Sequence, residues 1–457
     1  MRLLQDRMPA DPFSLLEPRV TGVVTAGEVD FDKTRDRLIW NKRLAQARAP
    51  AAIVTVRSVE EAAAAVRFAA QHGLGVSPRG GGHNYEASPL RDGGILLDLG
   101  GLDMIEIDAA AQTAKVGVGV EGGALSERLA EAGFAFPVGH CVDVALSGYL
   151  IAGGFGWNAG EWGAACANVE AIELVTAAGE IVLASAREHP ELFWAARGAG
   201  PGFFAAVTAF HLKLHPLPKT AYAWRAAFAA SSAPALAEWL THATAAAPPQ
   251  TEVGCFLFAH WDTGEPAVVL RVSACGENEK DAREKVAPFT SPPAGARKIG
   301  EPQGEALPFT DLFKLSPMPS GKRVAADHVW SDAAIGDLLL AVHDLPAPGP
   351  DSTIDIVAFG GHTPVAMPED SALSVSAGTG VGIYGLWDDP AGDEANRAWV
   401  RRVDEALAPF RTGRYVGEAD LTASPHRRAE CFTPDALQRL ETLRRRYDPD
   451  GVFAVWP

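Results

Sequence analysis

At 457 residues the chain exceeds the length at which a single hydrophobic core stops growing, so two domains are expected. Its 47% hydrophobic content is that of a globular protein, and no run approaches the roughly 18 uninterrupted apolar residues that a membrane span needs. A net charge of −17 repels phosphate backbones and anionic lipid, which argues against nucleic-acid and membrane partners and suits a neutral or cationic substrate. Cys141, Cys166, Cys255, Cys275 and Cys431 form no CxxC pair and leave one odd, so neither a disulfide framework nor a zinc site is expected. Charges and prolines break every apolar stretch of residues 1–30, which does not fit a signal-peptide core and points to the cytoplasm.

In chain order, AAIVTVR (51–57) reads as a strand. Ser58 and Glu61 stand at capping-box spacing ahead of an alanine-rich helix that stops at Gly73. GILLDL (94–99), MIEID (104–108) and AKVGVGV (114–120) read as strands, and a helix around Leu125–Ala132 stops at Gly133. NVEAIELVTAAGEIVLAS reads as a hairpin turning at Ala178–Gly179, and FFAAVTAFHLKLHPLP as a closing strand before Pro216 and Pro218. Residues 221–345 add strands (CFLFAHW, AVVLRVSA) and helices, with a loop-rich stretch near 290–320. Near the C-terminus PDALQRLETLRRRYDPDGVF reads as a helix with a proline start and a stop at Asp448–Pro449. Strands at this density in the first half predict an α+β fold.

Two glycine-dense loops carry the chemistry. In Arg79-Gly80-Gly81-Gly82-His83-Asn84-Tyr85, three successive glycines cost backbone entropy, which is tolerable where the main chain must approach a ligand or offer a nest of N–H groups to a phosphate. The same heptapeptide alone is equally a surface loop with a solvated histidine. The second loop runs Gly139-His140-Cys141-Val142-Asp143-Val144-Ala145-Leu146-Ser147-Gly148 and is followed by Gly153-Gly154-Phe155-Gly156. An unreactive buried thiol is the ordinary reading of a lone cysteine such as Cys141. Between them, GVGVEG (117–122) satisfies G-x-G-x-x-G, but it follows several strands and reads as a plain strand–helix turn. His211 and His215 alternate along a strand without a third metal ligand, and Ala145 occupies the position where a nucleophile elbow at Ser147 needs glycine.

Together the loops resemble those of the FAD-linked oxidases of the berberine bridge enzyme group, in the vanillyl-alcohol oxidase (PCMH-type FAD-binding) superfamily. The likeness covers about residues 40–218, including ELFWAARGAGPGFFAAVT, is weak across the middle and returns near RYDPDGVF. It implies a PCMH-type FAD-binding domain (1–217, completed by 412–457) and a substrate-binding domain (218–411) with an antiparallel sheet covered by helices. It also implies bicovalent FAD, 8α-histidyl at His83 and 6-S-cysteinyl at Cys141, with Arg79, Gly80, Gly81, Gly82, Asn84, Gly139, His140, Val144, Ser147, Gly148, Gly153, Gly154, Gly156 and Val169 as further cofactor-binding residues. Imidazole nitrogen and thiolate sulfur are the side-chain nucleophiles most available near neutral pH.

The resemblance further implies hydride removal from an alcohol or amine carbon of a small phenolic, heterocyclic or similar substrate, assisted by a base. The C-terminal Y-x-N-Y segment of the family is represented by Tyr415-Val416-Gly417-Glu418, which keeps the first tyrosine and replaces the later Asn and Tyr. Glu418 is then either the base, its pKa raised by burial, or an exposed loop residue; Tyr415 and Tyr85 are further catalytic candidates, with core packing as the alternative for both. GVGIYGLWDD (380–389) resembles the strand lining family active sites but offers few ionisable groups facing one way. Val144, three positions after the cysteine, favours reoxidation by O2 to H2O2 over a dehydrogenase with another acceptor. The altered YVGE segment keeps open a catalytically degenerate flavin-binding protein.

Overall fold

The computed structural model describes residues 12–316, 318–361, 365–424 and 426–456. The leader reading falls partly on residues 1–11, outside the described residues. No helix among the described residues is long and apolar enough to cross a membrane.

The first half folds around two small sheets. In the four-stranded sheet Gly22–Thr25 runs antiparallel to Ala52–Thr55, and Ala52–Thr55, Ile95–Asp98 and Val76–Arg79 are parallel neighbours in that order. The helix Val59–His72 links two of these strands: Ser58 Oγ caps it from the N-terminus at 3.2 Å, and Gly73 ends it at φ +66°. Glu61 does not close a reciprocal capping box; its carboxylate takes the Arg57 and Thr21 amides instead, tying the helix start to the preceding chain. The five-stranded sheet is antiparallel, in the order Ile105–Asp108, Thr113–Gly117, Ala206–Lys213, Val169–Val175, Ile181–Ser185. GVGVEG leaves one of these antiparallel strands, so it is not the first turn of a parallel dinucleotide-binding sheet. Gly179 turns the hairpin at φ +75°. His211 pairs with Glu173 at 3.0 Å, while His215 is bonded to Asn168 at 2.8 Å and stacked on Trp162.

The middle of the chain forms a seven-stranded antiparallel sheet in the order Lys298–Leu307, Thr220–Ala229, Pro266–Gly276, Thr251–Ala259, Thr353–Ala358, Thr379–Trp387, Arg323–Ser331. The expected loop-rich stretch near 290–320 is corrected by its edge strand, Lys298–Leu307. Pro302 is tolerated because the register slips there: Gln303 faces Arg225 and Ile299 faces Ala227, leaving a bulge at a sheet edge where a missing N–H costs little.

Side chains alternate across this sheet, and its two faces have different jobs. Cys255, Leu257, Leu270, Val272, Ile354, Ile356, Val381 and Ile383 point into a core covered by the helices Ala233–Ala246, Ile335–Val342 and Asp393–Leu407. Their neighbours Phe256, Arg271, Asp355, Gly382 and Tyr384 face the opposite way, into a large cavity. After Asp393–Leu407 the chain returns to the first half: Val76 donates to Val452 and accepts from Ala454, and the helix Pro434–Tyr447 packs in the same core as the N-terminal sheets.

Candidate active site

The cavity, about 930 Å³, lies between the glycine loops and the uncovered face of the seven-stranded sheet. That is near the top of the roughly 300–1,000 Å³ range of small-molecule sites. Gly80, Gly81, Gly82, His83 and Asn84 line it, as do Gly139, His140, Cys141, Val144, Ser147 and Gly148 from the second loop. The glycines are sterically required where the loops meet: a Cβ on Gly80 would lie 1.9 Å from Ser147 Oγ, and one on Gly82, which has φ +75°, 2.1 Å from the Leu38 carbonyl. Arg79 lies behind the wall, bonded to Asp98 at 3.0 Å and to the Leu38 and Gly81 carbonyls, where it props the loop.

Gly153, Gly154, Gly156 and Val169 do not line the cavity. The three glycines permit close packing instead, against Leu373, Tyr149 and the Val138 carbonyl respectively. Among the described residues, the amides of Gly80 to Asn84 donate no hydrogen bond within the protein. A run of unspent N–H groups along a cavity is the chemistry a pyrophosphate requires, so these residues fit the phosphates of FAD.

His83 and Cys141, distant in sequence, meet at this cavity. His83 stacks on Trp40 with centroids 5.1 Å apart, and its Nε2 lies 3.2 Å from Asp143 Oδ2. The free Cys141 thiol is held back from ionising by its surroundings. Burial, followed by the Asp143, Glu418 and Asp355 carboxylates, pushes it up to about 12.

Glu418, in the same cavity, is held by the Tyr384 hydroxyl, which donates to its Oε2 at 2.6 Å. Glu418 is therefore not an exposed loop residue; burial raises its carboxyl, Asp355 adds to the rise, and the Tyr384 bond opposes it. The strand Thr379–Trp387 supplies this tyrosine because Gly382, two positions earlier on the same face, leaves room for the ring; a Cβ there would lie 2.4 Å from Tyr384 Oη. Tyr85 stands between Trp40 and Tyr384, with centroids 5.8 and 5.6 Å away. Tyr415 also lines the cavity, but its hydroxyl accepts from the Gly154 amide at 3.1 Å, which ties it to the second loop.

Sequence reasoning missed Tyr384, Asp355, Arg271 and Glu252. His140 Nε2 lies 2.9 Å from Glu252, which is 3.8 Å from Arg271. Asp355, bonded by Thr353 at 2.6 Å, is pushed up to about 6 by burial. The available signal was an ionisable residue inside an alternating strand, as in TIDIVA and AVVLRVSA; only sheet order shows that these strands share a wall.

Residues 50–185, which hold both loops, match the family described as FAD binding domain. Fold and cradle thus define an FAD-linked oxidoreductase. An FAD-linked oxidoreductase of Hypoxylon pulicicidum is 29% identical over 429 residues, covering 92% of this chain and 93% of that protein. The (R)-6-hydroxynicotine oxidase of Paenarthrobacter nicotinovorans is 28% identical over 436 residues, covering 91% and 92%. The solved structure of 6-hydroxy-D-nicotine oxidase from Arthrobacter nicotinovorans superposes with a TM-score of 0.82 at 26% identity, covering 94% of this chain and 96% of that one. Berberine bridge enzyme from Eschscholzia californica shares the fold, with a TM-score of 0.82 at 20% identity over 97% and 98%. The chain is an FAD-linked oxidoreductase with the PCMH-type fold, similar along most of its length to these oxidoreductases.

Proposed function

We propose that this enzyme is an oxidase carrying FAD on His83 and Cys141, and that it oxidises an alcohol or amine carbon of a small organic substrate with Glu418 as base. The observation that carries the reading is the Tyr384–Glu418 pair, a hydrogen-bonded carboxylate facing the same cavity as both anchor residues. FAD held by His83 and Cys141 would supply the two-electron acceptor for a hydride from the substrate, with O2 as the final oxidant and H2O2 as the product.

The protein's share is acid–base work and positioning. Glu418 accepts the O–H or N–H proton as the hydride leaves, and Tyr384 holds the carboxylate in place and keeps part of it ionised. Tyr85 packs beside Tyr384 and limits how the substrate enters between them, while Tyr415 braces the second loop from behind. Asp355 and Glu418 offer an amine-bearing substrate two carboxyl partners on a wall that also carries Arg271; the hydroxynicotine oxidases are relatives whose names specify such a compound. Residues 1–217 with 412–457 form the FAD-binding domain in this reading, 218–411 the substrate domain, and the cytoplasm is the site of action.

Anaerobic mixing with a panel of secondary alcohols and cyclic amines should bleach the flavin, and air should restore it within the turnover time with stoichiometric H2O2. A flavin that no member bleaches would overturn the enzymatic reading. Bleaching followed by sluggish return in air would replace the oxidase by a dehydrogenase.

A further inference from the structure

Asp143 has no part in the chemistry above, yet it makes the polar contact that holds a proposed anchor. Its carboxylate, half exposed, lies 3.2 Å from His83 Nε2. The ring is stacked on Trp40, and its polar contact to Asp143 runs through Nε2. A carboxylate on one imidazole nitrogen places the proton there and leaves the lone pair on the other. It also stabilises the positive charge that develops as that lone pair attacks, the role an aspartate has in a catalytic triad. Asp143 is suited to it: the His83 bond holds its carboxyl below the usual range, so it is ionised at neutral pH.

We propose that Asp143 is the orienting group and proton acceptor for covalent flavin attachment, fixing His83 as the tautomer whose Nδ1 is the nucleophile and taking the Nε2 proton as the bond forms. The inference rests on the reading that His83 carries the flavin. In the overall step one hydrogen leaves the 8α-methyl and one leaves the imidazole, and a C–N bond replaces the C–H and N–H bonds. Dioxygen takes the two electrons and two protons as H2O2.

The test uses the full chain produced under flavin limitation, then given FAD in air, as parent, D143A and D143N. Native absorbance reports bound flavin, and the mass of the peptide containing residue 83 reports attachment over time. The parent should load this peptide. D143A should bind FAD yet load the peptide about a hundredfold more slowly, within the range that a positioned base contributes. D143N keeps an acceptor oxygen without the charge and should fall between; being isosteric, it decides the question if D143A holds no flavin. Loading of the variants at the parental rate overturns the role of Asp143 and leaves His83 as anchor. A parent peptide without flavin mass overturns the anchor reading itself, and this inference with it.

Discussion

At Glu418 two influences oppose each other: burial favours the neutral acid, and the Tyr384 hydroxyl at 2.6 Å favours the carboxylate. Burial prevails, so the group titrates above the ordinary carboxylate range. Replacing Tyr384 by Phe removes the influence that lowers the pKa, and the acid limb of the kcat/KM profile should move to higher pH; an unmoved limb would show that another group titrates. Glu418→Gln should slow anaerobic flavin reduction by about 10²–10⁴-fold while flavin content stays unchanged. Cys141 invites a different measurement. With its thiol near 12, the thiolate fraction grows about tenfold per pH unit across the neutral range. Flavin attachment at the Cys141 peptide should accelerate to match between pH 7 and 9, and a flat profile would mean that the thiol is activated by flavin binding instead.

The segment that carries Tyr415 and Glu418 has little regular structure of its own, and an ion network holds it. Arg414, 1% exposed at its side chain, bonds Asp327 at 3.0 Å on the strand Arg323–Ser331 and Asp404 at 2.9 Å on the helix Asp393–Leu407, with Glu430 completing the set. Arg427 joins the same two aspartates. Removing one member of such a network strands the others without a partner in low dielectric. Arg414→Ala should therefore lower the unfolding free energy by about 3–5 kcal/mol, read from the denaturant midpoint. A loss under about 1 kcal/mol would mean that water enters and solvates the acids. The strand Thr379–Trp387 teaches a related lesson: Gly382 and Tyr384 belong to one face, so the small residue makes the space into which the large one lies.

Across the whole molecule, buried acids and buried histidines contribute to the pH dependence of stability with opposite signs. Asp355 is pushed to about 6 and Glu86 to about 7, both chiefly by burial, above their unfolded values near 4. Between those limits these two groups hold more protons in the folded state than in the unfolded one, so their contribution to stability falls as pH rises through this window. His215 and His328, lowered by burial to about 4 and about 3, act in the opposite sense because the unfolded chain protonates them first, so the variant is the test. The change in urea midpoint from pH 5 to 7.5 should be more positive in Asp355→Asn than in the parent, and an equal change would contradict the role of Asp355. The elements of the first half were legible because their signals are local: Ser58 caps its helix, Gly73 and Gly179 adopt positive φ, and strand runs are bounded by turn residues. The two glycine loops were legible for the same reason. The edge strand Lys298–Leu307 was not, since its pairing with Thr220–Ala229 outweighs a local pattern containing proline. Nor were Tyr384, Asp355, Arg271 and Glu252, because no local signal states which strands become neighbours or which face they turn to the cavity. The sequence by itself determined the residue types and backbone freedom of the two loops; only the tertiary structure set His83 against Asp143 and Glu418 against Tyr384, because each pair joins segments that touch solely through the packing of whole sheets and loops.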